Sequence, residues 1–598
     1  MSSMPGRTLI LLFTFWLLAA LPGLAELPYA EHGWSKEEAS AHLLSRFTYG
    51  PRPGEVDRVA RLGLEEWLLR QLEGSKEEPL LKQKLAQLPA AYALSNNEIL
   101  KLYPRPGQVF RMAQEEGLWK AGERPDREAL KFMLEQKGLR PFTELDLTLF
   151  AQKLLHARHS ENALREVMTE FWFNHFNVSL SNNRARPFIL SYERDVLRPN
   201  ALDNFRTLLG STAKHPAMLL YLDNANSSAS LDTRTTLESR MEELSVAQGR
   251  IRRSKERIRK RKKGLNENYA RELMELHTLG VDGGYNQDDV IQVARAFTGW
   301  TVLGRQARMN PPTAEQKERR QAVGIHQEGD FRFAAAIHDA EPKTILGQDF
   351  PAGGGVEEGE RVLDLLSAHP STARHLARKL AVRFISDEPD AADIQKVARA
   401  FQDSRGDISA TLLAVARTDG FWDPANRYSK VKSPFELVVS ANRALDGDLY
   451  PSRHLYGWLA RMGQPLYNYQ APTGFPDRAE FWVSSASVLN RVNFALQAAT
   501  GGISGFTYSP GQEMDLQATV RRLLPYRDSV DSTTQNIRSM LSDSPNLQLE
   551  AVNRFEVRPN MGGQLPGTYV PVLTLKKDQK ESALMIGLIL GTPEFQRR

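Results

Sequence analysis

The sequence predicts a mainly α protein: a large multi-helical domain with a small β-hairpin or short strands near 331–350. Three observations carry this. Apolar residues recur at three- and four-residue spacing along most of the chain, as a buried helix face requires. Pro and Gly separate these stretches. The alternation a strand needs is confined to FRFAAAIHDAEPKTILGQDF, 331–350, where Phe331 and Phe333 point one way and 343–350 is expected to pair back. Apolar residues form 41% of the chain, enough to build a packed core.

Taken in order, the chain begins with the pattern of a secretory signal peptide, 1–25. Arg7 precedes an apolar run at 9–21, Pro22 and Gly23 end it, and Gly-Leu-Ala supplies small residues before Glu26. No later segment is apolar enough to span a bilayer, so 26–598 is expected to be one large helical domain, periplasmic or secreted. The sequence has no cysteine, which excludes disulfides, thiolate metal sites and a Cys nucleophile, and fits an oxidising compartment.

Ser35 is placed to cap a helix running to Phe47, with Ala39, His42, Leu43 and Phe47 on one face. TYGPRPGE at 48–55 breaks it, and Glu55 starts a second helix that continues through Leu72. The stretch 75–140 is polar and reads as variable surface helices. Helices at 143–156 and 161–176 are stronger; Leu164, Val167, Met168, Phe171, Trp172 and His175 give the second a broad buried face. Asp203 is expected to cap the helix of Phe205, Leu208 and Leu209. Residues 304–330 read as a loop, 353–355 as a glycine joint without the Lys of a phosphate loop, and 461–477 as a Pro/Gly/aromatic loop. Helices are expected at 357–368, 371–385, 391–401, 412–421, 434–445, 484–498 and 582–589.

The formal charge of +5 is local. Residues 238–263 hold eleven Lys/Arg against four Asp/Glu, a local +7 that leaves the remainder near −2. This basic insertion lacks aromatics for base stacking, and export argues against nucleic acid as a partner. A solvated insertion is the plainer reading, attraction to anionic envelope surfaces the other.

Chemistry-bearing residues concentrate in three places. In NENYARELMELHTLG, 266–280, a spacing of about 100° per residue puts Asn268, Arg271, Glu272 and Glu275 on one arc and His277 on the opposite, apolar side. Either Arg271 pairs with Glu275 as an ordinary ion pair, or Glu272 and Glu275 face a cleft as acid/base groups or metal ligands. Gly280 is placed as a C-cap, Gly283–Gly284 permits a turn with positive φ, and Asn286 is placed to cap the next helix. The second place is FWFNHFNV, where Asn174 and His175 follow an aromatic wall. The third is His338–Asp339, a potential metal-ligand or base–orienter pair.

Nine segments together carry a resemblance. They are HLLSRFTYGP (42–51), FWFNHFNV (171–178), AMLLYLDN (217–224), GLNENYARELMELHTLGVDGGY (264–285), DVIQVARAFTGW (289–300), HDAEPKTILG (338–347), HPSTARHLARKLAVRFISDEP (369–389), VKSPFELVVSANRAL (431–445) and the final GTPEFQRR. The chain resembles the bacterial family catalogued as domain of unknown function 1800. The resemblance implies a large, mostly helical exported domain, commonly encoded beside a second exported protein of another uncharacterised family. It implies no reaction, so no residue inherits a role, and Phe173 stands where many members carry His.

The expectation is therefore an exported, enzyme-like helical protein with a polar cleft. Glu272, Glu275, His175, His338 and Asp339 are its candidate catalytic groups, and Asn174, Asn268 and Arg271 its candidate binding groups. Hydrolysis, by acid/base or divalent-metal chemistry, is the first reaction class. The alternative is a non-enzymatic periplasmic scaffold or partner of the co-encoded exported protein.

Overall fold

The computed structural model describes residues 26–243, 262–543 and 570–598, apart from 76, 125, 305–306, 309–311, 323, 511–514, 525, 527–528 and 577–578. The signal-peptide reading of 1–25 and most of the basic insertion lie outside the described residues. The architecture is mainly α, with a few short antiparallel strands.

Local signals start and stop the helices. Ser35 caps Lys36–Phe47 through a reciprocal box with Glu38, and Asn286 does the same for Gln287–Ala296 with Asp289. Two local expectations need correction. The run from Glu55 divides at Gly63 into Glu55–Leu62 and Leu64–Glu73. Asn204, not Asp203, caps Phe205–Lys214, because its side chain accepts from Arg206 N.

The strands also differ in detail from expectation. Phe331–Phe333 is the middle strand of three, pairing with Trp300–Val302 on one side and His326–Glu328 on the other. Lys343–Ile345 pairs with Gln348–Phe350 as a separate hairpin and does not return to Phe331–Phe333. The 304–330 stretch is not all loop: it holds the helix Ala314–Ala322, none of whose residues is buried, and the strand His326–Glu328.

One contiguous apolar core runs from Leu27 to Phe595 and gathers most of the helices. The helices around 106–136 keep a small cluster of their own, Ala113, Met133 and Leu134, consistent with the polar surface character of that stretch. No helix among the described residues is long and apolar enough to cross a membrane.

The core also contains charge. Arg383 on Pro370–Phe384 meets Glu436 on Pro434–Ala444 at 2.6 Å, and Arg598 approaches the same carboxylate oxygen at 3.4 Å. All three side chains are buried. Burial alone would raise Glu436, but the two guanidiniums hold it well below the usual carboxylate range. A second network joins Lys153, Glu170, Glu193, Arg198 and Glu166 beneath the helix Ala163–His175. Such pairs add little net stability when intact but cost heavily when one partner is removed. Glu436→Ala leaves Arg383 and Arg598 in the interior with only their longer contacts to Asp477 and is expected to cost about 3–5 kcal/mol. Thermal unfolding checks this against Glu66→Ala, which breaks the exposed Arg70–Glu66 pair and should cost less than about 1 kcal/mol.

Candidate functional site

The site is built on a helix that changes pitch. Asn268–Glu272 is α-helical, and Leu273–Thr278 continues as a π-helical segment in which Leu279 N donates to Met274 O at 2.8 Å. Thr278 Oγ1 donates to Leu273 O at 2.6 Å. Gly280, at φ 84°, then turns the chain away. Any helix end leaves carbonyls without an intrahelical donor. Here two imidazoles take them up. His175 Nε2 donates to His277 O at 3.0 Å, and His375 Nε2 to Leu276 O at 3.1 Å.

A carbonyl only accepts, so both rings carry hydrogen on Nε2 and leave Nδ1 as an acceptor. Lys379 Nζ donates to His175 Nδ1 at 2.9 Å. His375, Lys379 and Arg383 recur every four residues and so share one face of Pro370–Phe384. His375 in turn lies against Gly280: a Cβ there would stand 2.9 Å from its Nδ1. Only glycine both turns the helix end and leaves room for this imidazole.

A loop closes the other side. Leu180 N donates to Tyr467 O, and Asn177 Nδ2 to the carbonyls of Tyr469 and Ala471. Phe475 N donates to Asn174 Oδ1 at 3.1 Å, while Asn174 Nδ2 donates to Glu170 O. At Gly474 a Cβ would stand 2.1 Å from Asn174 O, so the loop backbone lies directly on the helix end. The asparagines of FWFNHFNV thus hold the 461–477 loop in place. Between loop and helices lies a cleft of about 560 Å³, whose wall includes His175, His375, Lys379, Phe475, Asp477 and Trp482.

Burial sets the charges. It pushes His175 well below its ordinary value, aided by Lys379, His277 and His375, and lowers His375 to about 4 and His277 to about 3. All three imidazoles are neutral at pH 7. Burial also lowers Lys379 to about 8, against the pull of the Asp477 carboxylate. Asp477 is shared with Arg383, Lys430 and Arg598.

The candidate residues divide among separate places. His175 and Asn174 belong to the cleft. Among the described residues no hydrogen bond or ion pair joins Glu272 or Glu275 to a histidine, so the single site combining them is not assembled. Both carboxylates are half-buried on the side of the helix away from His277; burial and the charge of Glu275 raise Glu272. Arg271 pairs with Glu267 at 3.2 Å and reaches Gln287, not Glu275. Asn268 Nδ2 makes a long bond to Leu222 O.

His338 and Asp339 lie in a third, interior place. His338 Nδ1 is 2.7 Å from Thr298 O, and its Nε2 is 3.4 Å from a Glu358 oxygen that Lys343 also contacts. Asp339 is held by Arg295 through both carboxylate oxygens. The two are not joined as a base and its orienter. No group of three or more His, Asp or Glu among the described residues converges as a metal site would. In the cleft the reason is visible: both Nε2 atoms and the Nδ1 of His175 are committed to other partners.

Sequence reasoning missed Lys379, His375 and Asp477, and set His277 aside. His277 does point away from Glu275, yet that brings its ring to 6.0 Å from His175, with His375 at 6.1 Å. The available signal was three polar residues, His375, Lys379 and Arg383, at four-residue spacing on one helix face.

The neutral imidazoles give stability a pH dependence with a definite sign. An imidazole whose folded value lies below its ordinary 6.5 binds its proton first in the unfolded state, so stability falls as pH drops through 6.5. For His277 the loss develops between about 6.5 and about 3 and approaches about 5 kcal/mol, on the order of 1.4 kcal/mol per unit. His277→Phe is expected to flatten the fall in melting temperature between pH 6.5 and 4. An unchanged slope would show that His277 does not titrate as its burial requires.

The family model described as "Protein of unknown function (DUF1800)" matches residues 42–597. No curated protein and no solved structure matches the chain. The match takes in His175, the pitch change at 273–278, His375, Lys379 and the 461–477 loop, so the cleft lies within the matched region. The chain is a member of the DUF1800 family.

Proposed function

We propose that this protein is an exported acid–base enzyme, hydrolytic in class, whose reacting group is Lys379. The observation that carries the reading is the 2.9 Å contact between Lys379 Nζ and the neutral His175, inside the cleft. A carboxylate in the place of His175 would attract the ammonium and raise its pKa. An imidazole locked as acceptor takes one N–H of Lys379 in either protonation state and leaves the rest of the amino group to the cleft. His175 is therefore a positioning residue, and the carbonyl of His277 fixes its tautomer.

Burial brings Lys379 to about 8, where both forms are populated near neutral pH, as general acid–base work requires. As the free amine it removes a proton from water attacking the substrate. As the ammonium it returns that proton to the leaving group. The apolar run and small residues of 1–25 support export.

A second reading, a non-enzymatic periplasmic scaffold or partner of a co-encoded exported protein, draws on one observation. Phe481, Val483, Val488 and Leu489 are exposed in succession where the loop leads into the helix Ser485–Thr500. Co-purification from an envelope extract through this face, with no catalysis attached to Lys379, would favour it.

The test of the enzymatic reading is competitive acetylation of lysines across pH, read by mass spectrometry. Lys379 is expected to react with a midpoint near pH 8 and exposed lysines above 10. In a screen of ester, amide and phosphoester substrates, Lys379→Met should lower any turnover by about 100-fold or more. A midpoint at the ordinary lysine value, or turnover indifferent to Lys379→Met, contradicts the assignment.

A further inference from the structure

The cleft wall carries four carboxylates and four cations, but the carboxylates are the more fully paired, and the unpaired cations have a position. Of its carboxylates, Glu170 is paired with Lys153, and Glu436 and Asp477 are shared between Arg383 and the buried Arg598 behind the wall. Glu480 alone has no partner among the described residues. Of its cations, Arg383 is consumed by those pairs. Arg378 and Arg478 make no ion pair and no side-chain hydrogen bond among the described residues, and Lys379 is bonded only to a neutral ring. Three cations thus face the cleft against one free carboxylate. Arg378 and Lys379 come from the helix Pro370–Phe384, and Arg478 comes from the loop opposite.

The loop side also brings an apolar surface. Phe475 packs against Trp482 with ring centroids 6.0 Å apart, and against Tyr469 at 4.7 Å. Phe481 lines the cleft yet is 55% exposed, so the apolar wall continues to the outer rim. Val483, Val488 and Leu489, in the segment that follows, are exposed as well. Guanidiniums favour oxyanions, which they bind through paired N–H donors. Aromatic and aliphatic walls favour an apolar body.

We infer that the cleft takes an amphiphilic oxyanion: a carboxylate or phosphate head between Arg378, Arg478 and Lys379, with an apolar body along Phe475, Phe481 and Trp482. This names the substrate class of the cleft and rests on the reading of it as a functional site. A head beside the ammonium of Lys379 also places the adjoining bond within reach of the amino group. The exposed rim lets a chain longer than the cleft run outward without being cut off by its size.

The experiment is calorimetric titration of the mature protein with decanoate and decyl phosphate below their micelle concentrations. Decanol, decyltrimethylammonium and inorganic phosphate serve as matched controls, and phosphatidylglycerol vesicles serve to distinguish a membrane headgroup from a free amphiphile. Decanoate or decyl phosphate is expected to bind at least tenfold more tightly than each control. Arg378→Gln and Arg478→Gln, both at surface-accessible side chains, should each weaken binding about tenfold. Phe481→Ser should weaken the decyl compounds and leave inorganic phosphate unchanged. Vesicle binding lost in the same arginine variants assigns the head to a lipid; binding of the free decyl anions alone assigns it to a soluble amphiphile.

Equal binding of decyltrimethylammonium, equal binding of inorganic phosphate, or indifference to both arginine substitutions overturns the inference. The acid–base reading fails separately, through the labelling midpoint of Lys379. Binding with an ordinary midpoint keeps this inference and removes that one; a midpoint near 8 without binding does the reverse.

Discussion

The hydrogen bond from His175 Nε2 to the carbonyl of His277 is the contact on which the cleft depends. It does three things at once. It satisfies a carbonyl at the end of the 273–278 segment, where the helix supplies no donor. It joins two helices whose residues stand 102 positions apart in the chain. It commits the hydrogen of the imidazole to one nitrogen, so that the other nitrogen is an acceptor for Lys379. Without it the ring would be free to turn, and Lys379 would lose the neutral partner that keeps it in place without holding it charged.

The surrounding structure supports this bond from every side. Within Leu273–Thr278 His277 is buried while Glu272 and Glu275 stay half-buried on the other side. Single π turns inside helices recur at functional sites, because the altered pitch re-aims side chains and carbonyls. Gly280 gives His375 its space, and Asn174 and Asn177 fasten the loop that forms the opposite wall. Behind Lys379, the Arg383–Glu436–Arg598 group neutralises the acidic charge of the interior. The cleft therefore keeps cations that are not already spent on internal carboxylates.

Much of the frame was legible in the sequence because it is locally determined. Ser35 and Asn286 announce helix starts within four residues, Gly280 a helix end, and the period of Leu164, Val167, Met168, Phe171 and His175 a buried face. The placement of Asn174 and His175 beside an aromatic wall marked half of the site. The other half was hidden because its contacts are not local: Lys379 meets His175 across 204 positions. A spacing of about 100° per residue puts His277 on the apolar side, where it lies, but facing away from Glu275 does not mean leaving the site. The pairing of Arg271 with Glu267 in place of Glu275 is the same lesson at shorter range, as both partners are four residues away. His338–Asp339 looked like a site because the two residues adjoin. The fold gives each its own partners, Glu358 and Arg295.

The central claim is that His175 is a neutral, Nε2-protonated imidazole whose Nδ1 accepts from Lys379. Nitrogen-15 spectroscopy of protein labelled at histidine, with His175→Gln to assign the signal, measures this directly. The account predicts that at pH 7 the His175 Nε2 carries hydrogen and Nδ1 does not, and that Lys379→Met shifts the Nδ1 resonance toward that of a free acceptor. An imidazolium at pH 7, an Nδ1–H tautomer, or an Nδ1 resonance indifferent to Lys379→Met would contradict it.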